Sequence, residues 1–148
     1  MPARQPHRAQ PGYVIAFDFG LRHIGVAVGQ TVTGTASALL TLPARNGTPN
    51  WPQVAELLEA WQPHTLLVGL PLNMDDSESE MSAAARRFAA ALARRSGLPT
   101  LLIDERLTSY AAERQEDGTG RRRGRRDPAS HALAAVLIAE SWLREGAG

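Results

Sequence analysis

Two apolar, β-rich runs, Tyr13–Phe19 and Ile24–Val28, lie on either side of the short connector Gly20–His23. That spacing predicts a tight β-hairpin. Strand side chains alternate in direction, so Val14, Ala16 and Asp18 share one face while Ile15, Phe17 and Phe19 share the other. Gly34–Leu42 reads as a third strand bounded by Gly34 and Pro43, and three successive strands with short connectors predict an antiparallel meander. Ala44–Asn50 reads as a loop. Val54, Leu57, Leu58 and Trp61 recur at helical spacing with Glu56 and Glu59 outside the stripe, which predicts a helix over Pro52–Trp61 that Pro63 ends. Thr65–Leu70 is a short continuous apolar run, as expected of a strand covered on both faces.

A polar stretch, Pro71–Glu80, comes next. Within it Ser77 and Glu80 fit a capping box for a helix that reaches Ser96 and stops at Gly97. Met81, Ala84, Ala85, Phe88, Ala89, Leu92 and Ala93 form its apolar face, and Arg86, Arg87, Arg94 and Arg95 its solvated face. Thr100–Ile103 is another buried strand, ending in Asp104, Glu105 and Arg106. Thr108 is placed to cap a short helix to Gln115, and residues 116–126 read as a mobile Gly- and Arg-rich loop. Asp127 and Pro128 then suit the N-cap and first turn of a last helix, packed through Leu133, Val136, Leu137 and Leu143. The order β-β-β-α-β-α-β-α-α predicts an α/β fold. Its mixed five-stranded sheet has three antiparallel strands, then two reached by parallel crossovers, and is flanked by helices on both faces.

A chain of 148 residues suits one domain, here a flexible basic tail over residues 1–12 and a single domain over 13–148. The longest apolar runs fall well short of the roughly 18 residues of a membrane span. The N-terminus lacks the apolar core of a secretory signal. Cysteine is absent, which excludes disulfides and thiolate metal sites and suits a reducing, cytoplasmic setting. The net charge of +1 says little about partners, but its distribution says more. Every basic residue is arginine, and Arg121, Arg122, Arg123, Arg125 and Arg126 crowd one short stretch. A compact arginine run suits phosphates through bidentate hydrogen bonds; a solvated loop is the plain alternative.

The acids change the picture further. In open α/β sheets, sites collect at the carboxyl ends of parallel strands. Asp18 lies near the end of the first strand, Asp104 and Glu105 end the fifth, and Asp127 and His131 share one face of the last helix, four residues apart. Each has an ordinary structural reading: Asp18 as a turn residue, Asp104 and Glu105 as helix-start acids, Asp127 as an N-cap, His131 as a satisfied histidine. Convergence is what points to chemistry. Clustered carboxylates repel unless cations neutralise them, and hard divalent ions take oxygen ligands.

The segments AFDFGLRHIGVAVGQTVTGTA (Ala16–Ala36), VGLPLNMDDS (Val68–Ser77), DERLTS (Asp104–Ser109) and LAAVLIAESWL (Leu133–Leu143) together resemble the YqgF (RuvX) family, a Holliday-junction-resolvase-like group also described as pre-16S rRNA nucleases. The resemblance implies an RNase H-like fold and a metal-dependent nuclease. By motif it places the first catalytic acid on Asp18 and an acidic pair on Asp104 and Glu105, with Glu105 the usual catalytic candidate. The third acid of the family falls on His131, a departure from the pattern, and Asp127 one turn earlier is an alternative oxygen ligand. The implied site holds two divalent ions about 4 Å apart and yields 5′-phosphate products. An imidazole ligand suits a softer ion, so Mn²⁺ is expected to be preferred over Mg²⁺. The resemblance ranks 5′-end processing of pre-16S rRNA in ribosome biogenesis ahead of four-way DNA junction resolution. The implied partners are nucleic acid and ribosomal precursor particles, with no membrane, for a monomer or homodimer. Arg22, Arg106 and the arginines of 121–126 are candidates to hold phosphates rather than read bases.

Three rivals use the same residues. A non-catalytic nucleic-acid-binding protein would keep the basic loop with a degraded metal site. An actin-like ATPase also opens with Asp and Gly on a hairpin but needs a second, similar half, and the chain contains no duplicate. The Asp18–Gly20 tripeptide matches the kinase metal motif, but the chain has no lysine and no HRD loop.

Overall fold

The computed structural model describes residues 11–71, 75, 79–105 and 128–147. The first hairpin forms as the alternation requires: β1 (Tyr13–Asp18) pairs antiparallel with β2 (His23–Gln30), Asp18 standing opposite Gly25. β3 (Thr35–Arg45) adds to β2 and runs past Pro43. It then turns back into β4 (Thr48–Pro49), a sixth strand where a loop was expected. The turn is Asn46-Gly47, with φ of 50° and 83°. Two central residues with positive φ are what a two-residue hairpin loop of the primed type demands, and Asn-Gly is its strongest sequence signal. The five-stranded sheet is therefore corrected to six strands, in the order β4-β3-β2-β1-β5-β6.

Asn50 caps α1 (Trp51–Trp61), accepting a hydrogen bond from the Gln53 backbone N–H, and Gln62 closes it in the left-handed region just before Pro63. β5 (Thr65–Leu70) is buried throughout and lies parallel to β1. α2 (Glu80–Ser96) starts two residues later than a cap at Ser77 would set it. Ser79 is the N-cap: its side chain accepts from the Ser82 N–H, and its own N–H donates to Ser82 Oγ at 2.6 Å. The expected Ser77–Glu80 box is thus replaced by Ser79–Ser82, which leaves Glu80 as an acid in the first turn, where the helix dipole favours it. β6 (Thr100–Asp104) lies parallel to β5. α3 (Pro128–Ala147) closes the chain. The expected helix from Thr108, the loop at 116–126, residues 1–10 of the tail, and Asp127 lie outside the described residues.

The sheet divides two cores. Ile15, Phe17, Phe19, Ile24, Val26 and Val28 pack against α1 and α2 through Val54, Leu57, Phe88 and Leu92. Val14, Ala16, Ala27 and Leu67 pack against α3. The face of α3 that does this is small-residue rich: Ala132, Ala135, Ile138, Ala139, Trp142 and Leu143, with Val136 beside them. Leu133 was expected in this packing and instead is exposed, and Leu137 is half-buried. Glycine and alanine on the sheet under the first turns of α3 let the helix lie low there, with Ala132 and Ala135 against the sheet, while Ile138, Trp142 and Leu143 pack further along.

Candidate active site

Asp18 belongs to the α3 face of β1, with Val14 and Ala16, and is 4% exposed. Its register partner Gly25 has no side chain to hold α3 off. A Cβ on Gly25 would overlap the backbone carbonyl of His131 and crowd the Ala132 nitrogen. The first described turns of α3 therefore rest on the β2 backbone beside Asp18. That contact sets His131 Nδ1 3.9 Å from Asp18 Oδ2, beyond hydrogen-bond range but face to face. His131 also has a ring partner: the His23 ring, at the start of β2, stacks on it with centroids 5.1 Å apart and planes 26° apart.

Glu105 arrives from the next strands over. Phe17 pairs with Val68 across β1 and β5, so Gly69, one residue on, lies beside Asp18. The Glu105 backbone N–H donates to the Leu70 carbonyl at 3.0 Å, which turns the chain back over β5 as β6 ends. The Glu105 side chain then lies over Gly69: a Cβ there would stand 2.7 Å from Oε2, 2.8 Å from Cγ and 2.6 Å from Ile138 Cδ1. Oε2 is buried. A strand glycine marks a place where something approaches the backbone closely; Gly25 admits a helix and Gly69 admits a carboxylate.

Asp18, Glu105 and His131 are thus brought to one face at the carboxyl end of three parallel strands and the start of α3. Asp104 is not brought there. On β6, Leu101 and Ile103 pack with the α3 core and Leu102 with the other, so Asp104 alternates onto the α1/α2 face. Arg22 is exposed on the connector between β1 and β2. Asp127, Arg106, Arg121, Arg122, Arg123, Arg125 and Arg126 lie outside the described residues. Sequence reasoning missed three positions. Gly25 and Gly69 carried a legible signal, isolated glycines within strand patterns; His23 carried none.

By chemistry the donors suit a divalent cation: the buried Asp18, the half-buried Glu105 and an imidazole offer a mixed oxygen and nitrogen set of the kind transition ions accept. Among the described residues no group of three His, Asp or Glu closes around one point.

A six-stranded mixed sheet ending in acids at the switch between its antiparallel and parallel halves is the architecture of the resolvase-type, RNase H-like α/β fold. Among solved structures, Thermus thermophilus RuvC in complex with a Holliday junction superposes with a TM-score of 0.57 at 20% identity, over 91% of this chain and 96% of that one. The yeast mitochondrial Holliday junction resolvase gives 0.53 at 15% identity, over 90% and 78%. The RuvX family model, described as Holliday junction resolvase, matches residues 12–145, and the chain belongs to that family. Curated relatives named "Putative pre-16S rRNA nuclease" include one from Pseudomonas paraeruginosa, 51% identical over 89% of this chain and 92% of its own length. Another, from Marinobacter nauticus, is 51% identical over 91% and 94%.

Proposed function

We propose that this chain is a nuclease that hydrolyses phosphodiester bonds with a divalent ion held by Asp18, Glu105 and His131. The observation that carries the reading is the convergence of Asp18, Glu105 and His131 across Gly25 and Gly69, in a chain about half identical to its curated relatives along nearly its whole length. A bound divalent ion supplies Lewis acidity at the phosphate and an acidified water. Asp18, buried and rigidly placed on β1, fixes the position of the reacting phosphate. Glu105 orients the attacking water and accepts its proton. The new P–O bond forms as the P–O3′ bond breaks, the 3′-oxygen leaves with a proton from solvent, and the product carries a 5′-phosphate. His131, stacked on His23 and facing Asp18, supplies the nitrogen donor, with Asp127 as the alternative third donor. Arg22 steadies the strand by its phosphates.

The names of the relatives favour pre-16S rRNA as substrate, in 5′-end processing during ribosome biogenesis. Four-way DNA junctions are the second reading, favoured by the description of the family model. Among the described residues no helix is long and apolar enough to cross a membrane, in keeping with work on cytoplasmic RNA and precursor particles. The test is cleavage in Mn²⁺ of a precursor rRNA fragment, an unrelated single-stranded RNA and a four-way junction, comparing wild type with Asp18→Ala. Cleavage lost in the variant supports the reading, and the preferred substrate selects between RNA processing and resolution. Failure to cut any of them while binding persists would replace it with the non-catalytic binding protein.

A further inference from the structure

A second cationic feature lies on the opposite face of the sheet. The Asn46-Gly47 turn and α2 enclose a cleft of about 280 Å³ whose lining includes Arg87, Arg94, Arg95, Asn46, Thr48 and Trp51. All three arginines are exposed. Among the described residues no carboxylate forms an ion pair with any of them. Arg95 is held in place: its guanidinium lies 4.4 Å from the centroid of the Trp51 ring, which in turn stacks on Phe88 at 5.8 Å and 18°. A guanidinium held over an indole face still has N–H donors to offer an anion. Arg87 and Arg94 are two helical turns apart, about 10 Å along the axis, a span suited to separate phosphates rather than one.

The cleft is joined to the cleavage centre through the backbone. Phe19 lines it and follows Asp18 directly in the chain. The Gly47 N–H donates to the Leu21 carbonyl at 2.9 Å and the Ala44 N–H to the Arg22 carbonyl at 2.8 Å, so the wall of the cleft is fastened to the connector that carries Arg22. Asp18 and Phe19, adjacent in the chain, thus belong to the cleavage centre and to the cleft respectively. We propose that this cleft is a second nucleic-acid site, binding the sugar-phosphate backbone of the substrate away from the scissile bond. The proposal rests on the nuclease reading. The observations favour a polyanion over a protein partner because the lining offers three arginines with the polar side chains of Asn46 and Thr48, while Phe19 and Phe88 are buried and Trp51 lies under Arg95.

The test measures binding of a single-stranded RNA of about 30 nucleotides to the full chain carrying Asp18→Asn, which prevents turnover. Arg87→Gln/Arg94→Gln is compared with the equal charge loss Arg86→Gln/Arg144→Gln outside the cleft; the Arg95–Trp51 contact is kept so that the fold is undisturbed. The cleft variant is expected to bind about tenfold more weakly, and its plot of log affinity against log salt to flatten by about 1.4, two single-strand phosphate contacts. Arg87→Lys/Arg94→Lys is expected to keep most of the salt slope. Equal affinity of the cleft and wild-type chains for RNA, whatever their affinity for an acidic peptide, overturns the proposal and leaves the nuclease reading standing. An equal loss in the control variant also overturns it, as bulk charge. RNA binding absent even with the cleft arginines intact also overturns the proposal, and the cleavage assay then decides the nuclease reading separately.

Discussion

His131 faces Asp18 at 3.9 Å because Gly25, the register partner of Asp18, lets the backbone of α3 rest directly on β2. The relationship is one of backbone against backbone, so it has no flexible end to yield. Gly25→Ala is expected to destabilise by about 3 kcal/mol or more, lowering the thermal midpoint by roughly 6–12 °C, and to remove cleavage. Gly29→Ala provides the contrast. Its Cβ would meet the side chains of Val14 at 3.0 Å and Leu143 at 3.2 Å, and these can shift, so a loss of about 1 kcal/mol is expected. Thermal unfolding of the pair decides it: equal midpoints would mean that α3 does not need the close seat.

Gly69→Ala separates chemistry from stability. The new methyl meets side chains and not backbone, Ile138 at Cδ1 and Glu105 at Oε2 and Cγ, and both can rotate away. Stability should fall by only about 1–2 kcal/mol, but Glu105 would leave its place, and a displacement of about 1 Å at a reacting centre costs around 10²-fold in rate. The check is a cleavage rate measured beside an unfolding curve. A rate that falls only in proportion to unfolded protein would show that Glu105 has no placed role.

Much of this was legible in the sequence, for identifiable reasons. The alternation of Val14, Ala16 and Asp18 fixed which face the acid takes, and continuous burial of Thr65–Leu70 marked the central parallel strand. What was misread lay where backbone chemistry outweighs the apolar pattern. Asn46-Gly47 made a hairpin and a sixth strand out of a presumed loop. Ser79 outcompeted Ser77 as a cap. Leu133 is hydrophobic and exposed because Ala132 and Ala135, seated close over Gly25, take the buried face of α3 at that turn. Asp104, adjacent in sequence to Glu105, is separated from it by the pleat of β6, a distinction that a motif alone does not draw.

Metal binding has a readout that does not require turnover. A ligand that binds only the folded state stabilises it by about 2.7 kcal/mol at a hundredfold excess over its dissociation constant, or roughly 5–10 °C in a chain of this size. Mn²⁺ is expected to raise the midpoint of the wild type by that order and to leave Asp18→Ala unmoved, with cleavage in the variant down at least ~10²-fold. An equal Mn²⁺ shift in both proteins would place the ion elsewhere and sink the assignment of Asp18 as its ligand.

The identity of the ion turns on His131. Imidazole nitrogen favours the later first-row ions over Mg²⁺, whose preference is for oxygen, so the wild type is expected to cleave faster in Mn²⁺ than in Mg²⁺ at equal concentration. His131→Asp restores an all-oxygen donor set at the same helix position and should lower the Mn²⁺ to Mg²⁺ rate ratio by about tenfold. The substitution also removes the ring that His23 stacks upon, so His131→Asn serves as the control for lost packing: it forfeits the stack without adding a carboxylate. If the ratio falls in His131→Asp with cleavage kept, and His131→Asn loses cleavage with both ions, the side chain at this position is a ligand. A ratio unchanged in both would remove His131 from the ion, reduce it to a packing partner of His23 and Asp18, and leave Asp127 as the third donor.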